Sequence, residues 1–142
     1  MPNDALHWIF DLDGTLVDSF GLYFKSLEDL FEEFAAKPYT EELRQAALTQ
    51  PVDDFFREHM SEASHLAAIA ALQDRSNSDA ALIRPFAGVP EMLSKLSARG
   101  ARIAIWSNRD HDSGSRILAQ TGLDKVAESF VSGTCVARKP SL

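Results

Sequence analysis

One cysteine, Cys135, in 142 residues excludes an intrachain disulfide and fits a reducing compartment. To act as a nucleophile it would need a base fixed beside it, and the sequence offers none. No apolar run approaches the about 20 residues of a membrane span, and the opening Met-Pro-Asn-Asp has neither a basic nor an apolar leader segment, so a cytoplasmic protein is expected. Basic residues are also scarce. Fourteen Lys and Arg against twenty-one Asp and Glu give a net charge of -7, which argues against nucleic acid or an anionic membrane surface as the main partner. An anionic ligand would therefore need positive charge supplied locally. What remains, 45% hydrophobic and 25% charged residues, is a globular mixture long enough for a sizeable core.

The most informative stretch is Asp11-Leu12-Asp13-Gly14-Thr15-Leu16-Val17-Asp18-Ser19, directly after the apolar run Leu6-His7-Trp8-Ile9-Phe10. It reads as a buried strand ending in a carboxylate cluster. Residues i and i+2 of an extended chain project to the same side, so Asp11 and Asp13 can point into one crevice beyond the strand. Two acids so placed repel each other, and a cation that prefers hard oxygen ligands, such as Mg²⁺, would relieve this. Gly14 permits a sharp turn and close approach of backbone to ligand. The plainer alternative is an acidic turn that caps a helix.

Helical periodicity follows. Phe20, Tyr23, Phe24, Leu27, Leu30, Phe31 and Phe34 form one apolar stripe over residues 19–36, which Lys37-Pro38 ends. Thr40 opens a second helix, Pro51 suits the first position of a third that runs to about Met60, and Ser61 opens an alanine-rich fourth that runs to about Arg75. Ser76-Asn77-Ser78-Asp79 reads as a polar loop, or at most as the cap of a short final helix. His59 and His65, six positions apart, make a poor metal pair and are expected at the surface. Aromatic stripes of this kind are core far more often than ligand sites.

Strand signals return after a turn-rich segment, Arg84-Pro85-Phe86-Ala87-Gly88-Val89-Pro90. Pro90 can start a helix that Gly100 ends. Residues 101–106 read as a second buried strand, with Ser107-Asn108 just past its end. A helix opening at Asp112 or Ser113 and ended by Gly122 precedes a third strand at about residues 128–132, and Arg138-Lys139-Pro140 lies beyond it.

Taken in order, the Asp11–Ser19 run after a strand, Ser107-Asn108 after a second strand and Lys139-Pro140 after a third resemble the first three motifs of the haloacid dehalogenase-like hydrolases, in their phosphoglycolate phosphatase-like branch. The resemblance implies an α/β fold, a Rossmann-like parallel sheet of about three strands in residues 1–19 and 85–142, with a small helical cap inserted at 20–84. It implies a Mg²⁺-dependent phosphomonoester hydrolase acting on a small phosphorylated metabolite through an aspartyl-phosphate. Asp11 would be the nucleophile and Asp13 the general acid/base. Lys139 would neutralise charge on the phosphoryl group, since a phosphoryl transition state spreads negative charge over several oxygens. Gly14, Thr15, Ser107 and Asn108 would bind substrate, and Asp11 and Asp13 the metal, the latter through its carbonyl. The family's fourth motif, which completes the metal site, has no counterpart in these residues. The chain is accordingly expected to be a fragment or a low-activity form. A phosphate-binding or regulatory module and a sugar-phosphate mutase are the alternatives. With three strands in order, the first is an edge beside an uncovered face, and self-association there is expected.

Overall fold

The computed structural model describes residues 6–135. The chain divides into two compact units, one holding the residues up to Phe20 and from Asp79 onward, the other Gly21–Ser78.

The first unit is built on a parallel sheet. Strand β1 (His7–Phe10) leads into the Asp11–Ser19 turn, whose end forms a short strand, β2 (Val17–Asp18). The helical unit follows: α1 (Phe20–Ala35), α2 (Glu41–Thr49), α3 (Val52–His59) and α4 (Glu62–Asp79). A 3₁₀ turn, Ala80–Leu82, leads to β3 (Arg84–Pro85), then α5 (Val89–Ala98), β4 (Arg102–Trp106), α6 (His111–Thr121), a second 3₁₀ turn, Leu123–Lys125, and β5 (Ser129–Val131). The strand order is β1-β4-β5, all parallel, with Phe10 opposite Ile105 and Trp106 opposite Val131. The fold is therefore α/β with a three-stranded Rossmann-like sheet. β2 and β3 form a separate antiparallel pair, Val17 opposite Pro85 and Asp18 opposite Arg84, which periodicity could not reveal in strands of two residues.

Two strands expected to be buried are not. Leu6, Trp8 and Ile9 are exposed, Ile9 at 69%, because β1 is the edge of the described sheet and is hydrogen-bonded on one side only. In β4, Ile103 and Ile105 are buried while Arg102 is exposed and Ala104 and Trp106 are half-buried, the alternation of a sheet with one covered face. Gly114 of α6 meets Phe130 of β5 so closely that a Cβ there would lie 2.4 Å from Cζ of the ring. That approach seats α6 on the sheet.

The helical unit has its own core: Leu27, Leu30 and Phe31 of α1, Phe55 and Phe56 of α3, and Ala68 and Leu72 of α4. The α1 periodicity corresponds to a helix of sixteen residues. Thr40 caps α2 by accepting from the Leu43 N–H at 3.4 Å, and Pro51 stands one position before α3. Residues 76–79 are helical rather than a polar loop. Ser78 donates its hydroxyl back to the Asp74 carbonyl at 3.0 Å, so the polarity that suggested a loop is satisfied inside the helix. Nor is His65 at the surface. It is 5% exposed, and its Nε2 lies 2.9 Å from Oδ1 of Asp53 across α3 and α4. His59 stacks edge-on against Phe31 and Phe55. α6 begins at His111 rather than at Asp112 or Ser113, since Asp110 accepts from the Ser113 N–H at 3.0 Å and is the cap. No helix among the described residues is long and apolar enough to cross a membrane.

Candidate active site

The turn after β1 is held by the chain's own amides. The Leu12 carbonyl accepts from the N–H groups of Thr15, Leu16 and Val17, and the Gly14 N–H returns to the Val17 carbonyl at 2.9 Å. Gly14 has φ +73°, the left-handed region where a side chain is strained, and a Cβ there would lie 2.3 Å from Cε2 of Phe20. Leu12, Leu16 and Val17 are buried and anchor the turn, while Gly14 and Thr15 stay exposed. Polar residues thus line the rim and apolar ones hold it in place.

Parallel pairing carries β4 to the same end of the sheet. With Phe10 opposite Ile105, the segment after β4 comes beside the Asp11–Ser19 turn that follows β1, and on its other side the Ser107 N–H donates to the Val131 carbonyl of β5 at 2.9 Å. Ser107 is buried, its Oγ 3.4 Å from Oδ2 of Asp13, and it accepts from the Arg109 N–H at 3.1 Å. Ser19, also buried, donates to Oδ1 of Asp13 at 2.6 Å. The dominant partner of Asp13 is Arg109, whose Nη2 lies 2.6 Å from Oδ1 and whose Nε lies 3.1 Å from Oδ2. Burial pushes the Asp13 carboxyl up, but the hydrogen bonds and charge of Arg109, with Ser19 and Ser107, outweigh it and hold the group below its ordinary value. Asp11 is half-buried and accepts from Thr15 Oγ1 at 3.5 Å. Asn108 is exposed, and its main-chain oxygen is where a Cβ on Gly133 would collide, at 2.4 Å. The Gly133 N–H donates to the Arg109 carbonyl at 2.9 Å, so the loop after β5 is stitched to the loop after β4.

Of the residues predicted from the sequence, Asp13 and Ser107 touch through a hydrogen bond, and Asp11, Gly14 and Thr15 share the turn with Asp13. Lys139 lies outside the described residues. Sequence reasoning missed Arg109, Ser19 and Gly133. The signal for Arg109 was its place directly after Ser107-Asn108 in an acidic chain, where carboxylates need a cation. The charge of Asp13, expected to repel Asp11 and call for a metal, is instead balanced by that guanidinium. Among the described residues no three His, Cys, Asp or Glu side chains converge as a metal cage. The donors present are hard oxygens, which suit Mg²⁺ held by one or two protein ligands together with water and substrate phosphate oxygens.

The sequence profile of the haloacid dehalogenase-like hydrolases matches residues 8–142, and the chain belongs to that family. It is 26% identical over 125 residues to the pyrophosphatase PpaX of Halalkalibacterium halodurans, an alignment covering 87% of this chain and 58% of that protein. A predicted phosphoglycolate phosphatase from Haemophilus somnus superposes with a TM-score of 0.79 at 20% identity, over 94% of this chain and 64% of the other. CbbY from Rhodobacter sphaeroides, solved in complex with phosphate, superposes with a TM-score of 0.76 at 19% identity, over 96% and 68%. These structural likenesses show the shared fold. The chain spans about three-fifths of the length of the pyrophosphatase it matches.

Proposed function

We propose that the chain carries the nucleophile and phosphate-binding elements of a Mg²⁺-dependent phosphomonoester hydrolase that acts on a small phosphorylated metabolite in the cytoplasm. The observation that supports this most is the meeting of Asp13, one turn past β1, with Ser107, one residue past β4, at the same end of a parallel sheet. Ligands of open α/β sheets bind at that end. In this reading a carboxylate oxygen of Asp11 attacks phosphorus in line, the ester P–O bond breaks, and Asp13, which must first part from the Arg109 guanidinium and take up a proton from solvent, gives that proton to the departing alkoxide. Asp13 then takes a proton from water, the water oxygen attacks phosphorus, and the bond to Asp11 breaks to release inorganic phosphate. Exposed Gly14 and Thr15, with Ser107 and Asn108, hold the phosphoryl oxygens, and Lys139 is assigned the balancing charge. Mg²⁺, when bound by the Asp11 carboxylate and the Asp13 carbonyl, supplies further neutralisation of that charge.

The helical unit Gly21–Ser78 is assigned the role of cap. The exposed edge of β1, with Leu6, Trp8 and Ile9, supports self-association between copies of the chain. The second reading, a phosphate-binding module without efficient catalysis, is favoured by one observation: both oxygens of Asp13 are occupied by Arg109. The deciding assay is release of phosphate from an aryl phosphate, with Mg²⁺ supplied and with Mg²⁺ chelated. Asp11→Asn is expected to abolish release, since an amide is too poor a nucleophile to form the acyl-phosphate. Turnover that survives this change would remove Asp11 from its role, and phosphate binding without turnover in the unaltered chain would establish the second reading.

A further inference from the structure

We propose that Arg109 is an anion-binding residue of this site, and that the substrate's phosphoryl group and the Asp13 carboxylate compete for its guanidinium. The inference rests on the phosphomonoesterase reading and deepens it, since it names the group that both holds the idle site and receives the substrate.

Four observations carry it. First, the chain has an acid excess of seven, yet a phosphate ester must be drawn to a turn that itself carries Asp11 and Asp13. Among the described residues, Arg109 is the cation hydrogen-bonded to Asp13 of that turn. Second, the bond is bidentate, with Nε on one oxygen of Asp13 and Nη2 on the other. The planar fork that matches two carboxylate oxygens equally matches two oxygens of a phosphoryl group, which carries more charge. Third, the main chain at Arg109 is fixed from both sides, its N–H on Ser107 Oγ and its carbonyl on the Gly133 N–H. Exchange of partner therefore asks only for rotation of the side chain. Fourth, Asp13 has supports that survive the exchange, since Ser19 holds Oδ1 and Ser107 holds Oδ2.

In the arrangement described, Oδ1 of Asp13 is taken by Ser19 and Nη2, and Oδ2 by Ser107 and Nε. Neither oxygen faces an ester oxygen freely. When phosphate draws the guanidinium away, Asp13 keeps its place through Ser19 and Ser107, and both its oxygens are released from the fork. Arg109 thus keeps the acidic site compact when empty and counts as a phosphate ligand when it is loaded.

The test uses the 142-residue chain with inorganic phosphate as probe, read by calorimetry and by the ¹⁵N resonance of the Arg109 Nε–Hε group, which reports directly on its partner. Phosphate is expected to shift that resonance saturably. Arg109→Gln should weaken phosphate affinity by roughly 10- to 100-fold, the range for losing hydrogen bonds from a charged donor, and Arg109→Lys, which keeps charge without the fork, should fall between. Where turnover is measurable, KM for an aryl phosphate should rise more than kcat falls. Phosphate affinity within twofold of the unaltered chain in Arg109→Gln, a resonance that stays put at saturating phosphate, or no phosphate binding at all would overturn the inference and leave Arg109 a strut for Asp13. If Arg109→Gln fails to fold, as judged by tryptophan fluorescence, the resonance and Arg109→Lys decide. Failure of the phosphatase reading is separable: phosphate bound through Arg109 without ester hydrolysis sinks that reading alone. Hydrolysis lost in Asp11→Asn, with KM and phosphate inhibition unmoved in Arg109→Gln, sinks this inference alone.

Discussion

Gly133→Ala is the substitution with the most sharply defined consequence. A Cβ at that position would lie 2.4 Å from the main-chain oxygen of Asn108 and 3.0 Å from its carbonyl carbon. Both are backbone atoms, so no side chain can swing aside. The loop after β5 or the loop after β4 must move, and movement of either breaks the 2.9 Å bond from the Gly133 N–H to the Arg109 carbonyl. Overpacking costs typically 1–3 kcal/mol and a lost hydrogen bond about 1, so the expected destabilisation is roughly 2–4 kcal/mol. For a chain of this size that lowers Tm by roughly 5–12 °C. Gly100→Ala is the comparison, because nothing lies within 4 Å of its Cβ position and only its φ of +82° penalises a side chain. That strain costs about 1 kcal/mol. Both tryptophans, Trp8 and Trp106, sit on the parallel sheet, so fluorescence-monitored urea unfolding reads this unit selectively. Gly133→Ala should unfold at clearly lower urea than Gly100→Ala. Equal stability of Gly133→Ala and the unaltered chain would show that the two loops are not stitched together as described, and the placement of Asn108 and Arg109 would fall with them.

The Asp13 carboxyl is held below its ordinary value, so the stability it contributes is fully present above about pH 4 and is lost as pH falls through the depressed folded-state value. Fluorescence-monitored unfolding from pH 7 to pH 2 should therefore show an acid-limb loss that Arg109→Gln flattens, and identical limbs would refute the assignment. Phe55→Ala empties the centre of the helical core, where Phe55 is fully buried against Phe31 and Phe56. A loss of about 3–5 kcal/mol is expected in urea unfolding followed by far-ultraviolet circular dichroism; a loss under about 1 kcal/mol would mean that these rings do not share a core. Self-association through β1 should appear as a molar mass that rises with concentration in light scattering and returns to the monomer value in Ile9→Lys. A monodisperse monomer throughout would remove that reading.

Much of the architecture was legible in the chain itself, because local patterns follow from local physics. The three-to-four spacing of Phe20 through Phe34 specifies a helix face without reference to any partner, and Gly100 and Gly122 end helices because each sits at positive φ. Asp11-Leu12-Asp13-Gly14 announces a carboxylate turn after a strand, since an apolar run gives way there to two acids and a glycine. Tertiary structure decided what depends on neighbours. Whether β1 is buried is set by how many strands flank it, and its apolar residues read the same either way. Ser76 to Asp79 look like a loop until the Ser78 hydroxyl finds a carbonyl one turn back, and His65 looks like a surface residue until α3 brings Asp53 to it. The site followed the same division. Its acids were visible as a motif, but the guanidinium that neutralises one of them lies 96 positions away, and only the parallel pairing of β1 with β4 closes that distance. Burial and long-range pairing are properties of the assembled sheet, and no spacing within the chain encodes them.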